Sequence, residues 1–242
     1  MLTLIIGIIF CLTSMGIFIY LRVTKGGLAG VFSKAVASTC FIALALALLA
    51  QKIGLNAYFS YGVCLIILGL VCGLIGDIFL DFKVFYNFHK KQFLYAGITS
   101  FLIGHLCYIG ALLLFSINEI NIFTYNPTIL LSILIGSIVL SLIIWLFSTK
   151  VLKFNFEDCS VFVNFYSFIL LFTTALSIYL GIIITKLPIY ILSIGFVTFL
   201  LSDLVLSTQY FGGKLMSKPL IVVNHLLYYI AQIIIASFIF FV

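Results

Sequence analysis

Residues 58–81 read Y-F-S-Y-G-V-C-L-I-I-L-G-L-V-C-G-L-I-G-D-I-F-L-D, an uncharged run from Tyr58 to Gly76 that ends on Asp77 and Asp81. A helix rises 1.5 Å per residue, so about 20 apolar residues cross the roughly 30 Å hydrocarbon core of a bilayer. The run is read as a transmembrane helix, with its two acids one turn apart on one face. A carboxylate at this depth costs about 2.5–3.5 kcal/mol on the insertion scale. It normally faces protein or a water-filled cavity, which makes it a candidate functional group. A matching acid, Asp203, sits far downstream in F-L-L-S-D-L at 199–204. The two acidic helix ends are expected to meet.

The rest of the chain supports a membrane reading. Of 242 residues, 65% are hydrophobic and 7% charged, against about 25% charged in a soluble domain. Such a chain cannot cover itself with polar surface, so it is read as an all-α, polytopic integral membrane protein, a single transmembrane domain over 1–242. The net charge of +6 comes from short loops and not from a basic run or a polar domain, which excludes nucleic acid as a partner. Six cysteines (Cys11, Cys40, Cys64, Cys72, Cys107 and Cys159) are scattered through apolar runs without metal spacing, and read as small core residues. The first apolar run lacks a basic leader region and is taken as a spanning helix rather than a cleaved signal.

Eight transmembrane helices follow, at about 2–21, 35–55, 58–80, 93–115, 128–148, 159–184, 189–208 and 220–241. Pro127, Pro188 and Pro219 stand at the starts of the fifth, seventh and eighth, where proline is tolerated. The odd-numbered connections carry Arg22, Lys25, Lys34, Lys83, Lys90, Lys91, Lys150, Lys153, Lys214 and Lys218; the even-numbered ones carry only Lys52 and Lys186. By the positive-inside rule both termini lie on the non-cytoplasmic side. The expected location is a bacterial cytoplasmic (inner) membrane. The lysines 83, 90 and 91 report topology first and suit anionic headgroups second.

On this frame Asp77, Asp203, Asn224 and His225 all fall near the cytoplasmic end. His105 and Tyr108 lie further in on the fourth helix, and Tyr228, Tyr229 and Gln232 continue inward along the eighth. That agreement in depth predicts one polar cavity open to the cytoplasmic leaflet. Simpler roles stand beside it: Asp77 as a packing acid paired to Lys34 or Lys83, Asp81 as a solvated boundary charge, and His105 and His225 as interhelical hydrogen-bonding groups. His89, in F-H-K-K, reads as a loop residue.

G-L-I-G-D-I-F-L at 73–80, F-L-I-G-H-L-C-Y-I at 101–109, F-L-L-S-D-L at 199–204 and Y-Y-I-A-Q at 228–232 together resemble the YhhN/TMEM86 family, the lysoplasmalogenases. S-K-A at 33–35 is similar to an early lysine motif of that family, with alanine where proline is common. Asn224-His225 departs from the more apolar run expected before the tyrosines. The resemblance implies an eight-helix enzyme that hydrolyses the vinyl ether of lysoplasmalogens, giving a fatty aldehyde and glycerophosphocholine or glycerophosphoethanolamine. It implies that Asp77 and Asp203 are the essential acids.

The chemistry suits such a pair. Protonation of the vinyl ether β-carbon gives an oxocarbenium ion, which water captures; one protonated and one ionised carboxyl group suffice for a similar cation in glycosidases. Burial and a neighbouring carboxylate both favour retention of a proton on one member of a pair. Lys34, Asp81, His105, Tyr108, Asn224, His225, Tyr229 and Gln232 are the expected site lining, with Lys34 toward the substrate phosphate. No metal and no cofactor is expected. The partners are the lysophospholipid and the bilayer, with oligomeric state left open. Two rivals remain: a zinc hydrolase using His105, His225 and an aspartate, and a proton-coupled transporter, which favours repeats or helices broken at mid-membrane.

Overall fold

The computed structural model describes residues 1–52, 57–85, 89–120, 126–212 and 217–242. Among them are eight helices long and apolar enough to cross a membrane. They are α1 (Leu2–Thr24), α2 (Gly27–Leu49), α3 (Ala57–Phe85), α4 (Lys90–Glu119), α5 (Pro127–Lys150), α6 (Ser160–Ile184), α7 (Leu187–Phe211) and α8 (Lys218–Phe241). Helices are what this composition permits, because lipid offers no partner to an unpaired peptide group. Prolines occupy the first turns of α5, α7 and α8, where the missing N–H costs nothing. Asn126 caps α5 by accepting from the Ile129 amide at 3.4 Å.

α8 is the hub, packed on α1, α2, α3 and α7. α3 also lies along α4 and α2, while α6 joins α4, α5 and α7. The α3–α4 seam is closed by glycines. A Cβ on Gly104 would stand 3.1 Å from the Gly69 carbonyl oxygen, and one on Gly97 would stand 3.3 Å from that of Gly76. Small residues let two backbones approach this closely inside a membrane.

The sequence expectation departs furthest from the structure at three boundaries. α2 begins at Gly27, not near 35, because Gly26 and Gly27 both adopt positive φ (60° and 55°) and turn the chain at once. Lys34 is therefore inside a helix and not in a loop. At its other end α2 stops at Leu49; the remainder of the expected span, 53–55, lies outside the described residues. α3 continues to Phe85, so Asp81 is a buried helical residue rather than a boundary charge. Lys214, one of the residues used for orientation, also lies outside the described residues. His89 is the exposed residue before α4, as expected. The six cysteines are free.

Candidate functional site

Three packed helices each bring side chains one turn apart to the same end of the bundle. α2 supplies Lys34 and Ser38, α3 supplies Asp77 and Asp81, and α8 supplies Asn224 with Tyr228 and His225 with Tyr229. The Lys34 ammonium lies 3.1 Å from Asp77 Oδ1 and 3.4 Å from Asp81 Oδ1. Arg22, in the last turn of α1, places Nη1 3.2 Å from Asp81 Oδ2. The charges thus alternate as Arg22, Asp81, Lys34, Asp77, which is how ionised groups are tolerated away from water. Asp77 Oδ2 accepts two further hydrogen bonds, from Ser38 Oγ at 2.7 Å and from the Tyr228 hydroxyl at 2.8 Å. The Tyr229 hydroxyl stands 3.1 Å from Ser38 Oγ and 3.2 Å from the Lys34 carbonyl oxygen, so its one proton is shared between them.

Lys34 lines the polar cleft described below, from inside a helix and not from a loop. It is 6% exposed, and its ammonium is divided between two carboxylates. Asp77 combines both roles considered for it: it is paired to Lys34, and it lines a cavity.

Two cavities meet beside these groups. One is a polar cleft of about 20 Å³ whose walls include Asp77, Asp81, Asp203, Asn224, His225 and Tyr228. The other is an apolar cavity of about 420 Å³ among α4, α5, α6 and α7, lined by Leu94, Ile98, Trp145, Leu170, Leu171 and Leu200 among others. Asp203 lines both, as do Leu80, Phe101, Leu206 and Tyr210. Asp203 Oδ2 accepts a hydrogen bond from the Tyr166 hydroxyl. Among the described residues no cation is paired with it.

The two candidate acids line one cleft, but their helices do not lie along each other as the sequence reading required. α3 rests on α2, α4 and α8, and α7 on α6 and α8. The rings of Phe101, Phe199 and Tyr228 pack on one another with centroids 5.7–6.1 Å apart. No hydrogen bond joins the carboxyl groups among the described residues.

The remaining expected residues divide. Asn224 and His225 line the cleft; the His225 ring also meets Phe18 edge-on at 4.8 Å. Gln232 and Tyr228 lie against Gly73, where a Cβ would stand 3.1 Å from Gln232 Nε2 and 3.4 Å from the Tyr228 hydroxyl. Tyr229 braces Lys34 and Ser38 and does not line the cleft. His105 and Tyr108 lie deeper and line neither cavity. His105 is enclosed by Phe199, Tyr108 and Tyr166 at 4.9, 5.4 and 6.1 Å between centroids, which makes it a packing neighbour of Tyr166.

Sequence reasoning missed four groups. Arg22 was taken only as a topology signal. Ser38 carried a faint signal, one turn from Lys34 on the same face. Tyr166 and Tyr210 carried none, as two of thirteen tyrosines.

Among the described residues no three His, Cys, Asp or Glu side chains are grouped to hold a metal ion, and His105 and His225 lie in different environments. Nor is any described span interrupted at its middle.

The model of the YhhN family matches residues 30–239, which takes in every group described above except Arg22 and Phe18. No curated protein and no solved structure matches the chain at a significant level.

Proposed function

This chain belongs to the YhhN family, and on that premise we propose that it is a membrane hydrolase cleaving the vinyl ether bond of lysoplasmalogens by acid–base catalysis with its own side chains. The observation that carries the reading is the position of Asp203 in the wall common to an apolar cavity and a polar cleft. A vinyl ether sits at the same kind of junction, between a hydrocarbon chain and a polar glycerophosphate. The chain lies in the apolar cavity, worth about 0.8 kcal/mol per buried CH₂. The glycerol faces the cleft.

Asp203, hydrogen-bonded to Tyr166 and without a paired cation among the described residues, carries the proton. Asp77, held by Lys34, Ser38 and Tyr228, is the carboxylate. Asp203 protonates the β-carbon, and the neighbouring carbon becomes an oxocarbenium ion that the Asp77 charge stabilises across the cleft. Water adds to that carbon as Asp77 takes one of its protons. The hemiacetal hydroxyl then returns its proton to Asp203 while Asp77 gives its proton to the departing glycerol oxygen. Aldehyde and alcohol leave, and both acids are restored.

Arg22, Asp81, Lys34 and the basic helix ends at Lys90, Lys150 and Lys218 share one end of the bundle. That end we orient to the cytoplasm, with both termini opposite; reporters fused beside Lys90 and after Val242 read this directly.

The test is turnover of a defined lysoplasmalogen by purified protein, followed as fatty aldehyde. Asp77→Asn and Asp203→Asn are each expected to lower kcat/KM by about 10²–10⁴-fold, Asp203→Asn with melting unchanged and Asp77→Asn with a lower melting temperature, because it takes one carboxylate from Lys34. Substantial activity in either variant removes the acid pair, and loss on chelation with recovery on zinc supports the metal rival instead.

A further inference from the structure

The polar cleft measures about 20 Å³. A cavity of about 10–15 Å³ holds one water, provided that two to four polar partners surround it. The cleft is therefore too small for a glycerophosphate group and the right size for a single water. Its walls supply the partners. Asn224 is 3% exposed, and its Oδ1 has no hydrogen-bond partner. That oxygen accepts from no donor among the described residues. A buried polar atom left unpaired costs about 1–3 kcal/mol, so an amide here requires something to bond.

Asn224 lies one helical turn before Tyr228 on α8. Tyr228 donates to Asp77 Oδ2 at 2.8 Å, and Asp77, Asp203, Asn224 and Tyr228 line the same cleft. The amide, the candidate base and the candidate acid therefore border one water-sized space.

We propose that this cleft is the binding site of the hydrolytic water and that Asn224 is its positioning residue, holding it between Asp77 and Asp203. This deepens the function proposed above and rests on it for the identity of the reaction. The amide accepts from, or donates to, the water and leaves an oxygen lone pair directed at the oxocarbenium carbon. One water proton passes to Asp77, and the C–O bond of the hemiacetal forms. Because water is held before the cation appears, capture outruns reaction with other nucleophiles. A cleft of one-water size also excludes an alcohol.

The experiment has an arm that does not depend on turnover. A lipidic-cubic-phase structure at a resolution showing ordered water is expected to contain one water within hydrogen-bond distance of the Asn224 amide and Asp77. Asn224→Leu is expected to lack it. A dry cleft in the native protein, or an Asn224 amide bonded to protein instead, overturns the inference whatever the substrate proves to be.

The kinetic arm compares Asn224→Leu and Asn224→Ser with the native protein on lysoplasmalogen. Asn224→Leu is expected to lower kcat about 100-fold, the cost of a misplaced reactant, with KM unchanged and melting temperature at or above native. Asn224→Ser, which keeps a small polar group and room for water, recovers much of that loss. In added methanol the native protein yields aldehyde alone, whereas the widened Asn224→Ser cleft also yields methyl acetal. Native-like kcat in Asn224→Leu, or a loss matched by a lowered melting temperature in both variants, overturns the inference. If the native protein itself releases no aldehyde, the proposed reaction fails while the water site is still decided by the first arm.

Discussion

Lys34 stands in the second turn of α2 with Asp77 and Asp81 on one ammonium group and Arg22 on the far side of Asp81. Removing one partner of a buried ion pair strands the other, at about 3–5 kcal/mol. Lys34→Met is therefore expected to lower stability by about that much, read as a fall in melting temperature in detergent. Adding Asp77→Asn removes the carboxylate left without a cation, since Asp81 keeps Arg22, and recovers part of the loss. A Lys34→Met protein that melts like the native one contradicts the alternating charge chain.

At this scale the sequence was informative where a residue was chemically out of place. Asp77 and Asp203 stand out in apolar runs, and the cost of burying a carboxylate makes such positions worth singling out. Arg22 did not stand out, because a cation at a helix end is the ordinary topology signal. Only the fold shows that its guanidinium turns inward to Asp81. Tyr166 was illegible for a different reason. Its role depends on which of many aromatic rings reaches Asp203, and spacing along the chain does not carry that information.

At the scale of elements, apolar run length located the eight spans, because length and hydropathy are what the bilayer requires. It misplaced the start of α2, since Lys34 broke the run; a charge neutralised within the protein no longer marks a loop. Packing faces were less legible still. On α5 the buried residues are Ser137, Ser141 and Ser148, while Ile135, Ile138, Leu142, Ile143 and Phe147 are exposed. Lipid is as apolar as leucine, so small polar residues mark the protein-facing side.

The α3–α4 seam gives a direct element-level prediction. A Cβ at Gly97 would stand 2.6 Å from Leu80 Cδ2 and 3.3 Å from the Gly76 carbonyl oxygen. Leu80 lines both cavities. Gly97→Leu is expected to destabilise by about 1–3 kcal/mol through overpacking and to disturb the site through Leu80. Gly16→Ala is the control, because nothing lies within 4 Å of a Cβ there and alanine favours the helix by up to about 1 kcal/mol. Equal melting temperatures for the two variants contradict the close seam.

At the scale of the whole molecule, the two ends of the bundle differ in chemistry. One carries the buried chain of Arg22, Asp81, Lys34 and Asp77. The other carries surface contacts, such as Lys186 with Glu119 at 2.7 Å and Lys52 donating to the Phe240 carbonyl at 2.7 Å. The apolar cavity opens beside α5, Phe147 and Leu204 being exposed at its rim. Under the function proposed above, the substrate's chain reaches sideways into the protein from the membrane and its polar part lies at the charged end.

The central claim is that Asp203 delivers a proton to carbon, and one measurement addresses that bond directly. Lysoplasmalogen is turned over in heavy water, and the aldehyde is trapped before it can exchange. The account predicts one deuterium on the carbon next to the aldehyde, with the saturated alkyl ether left intact under the same conditions. Aldehyde released without that deuterium, or cleavage of the saturated ether, would contradict it.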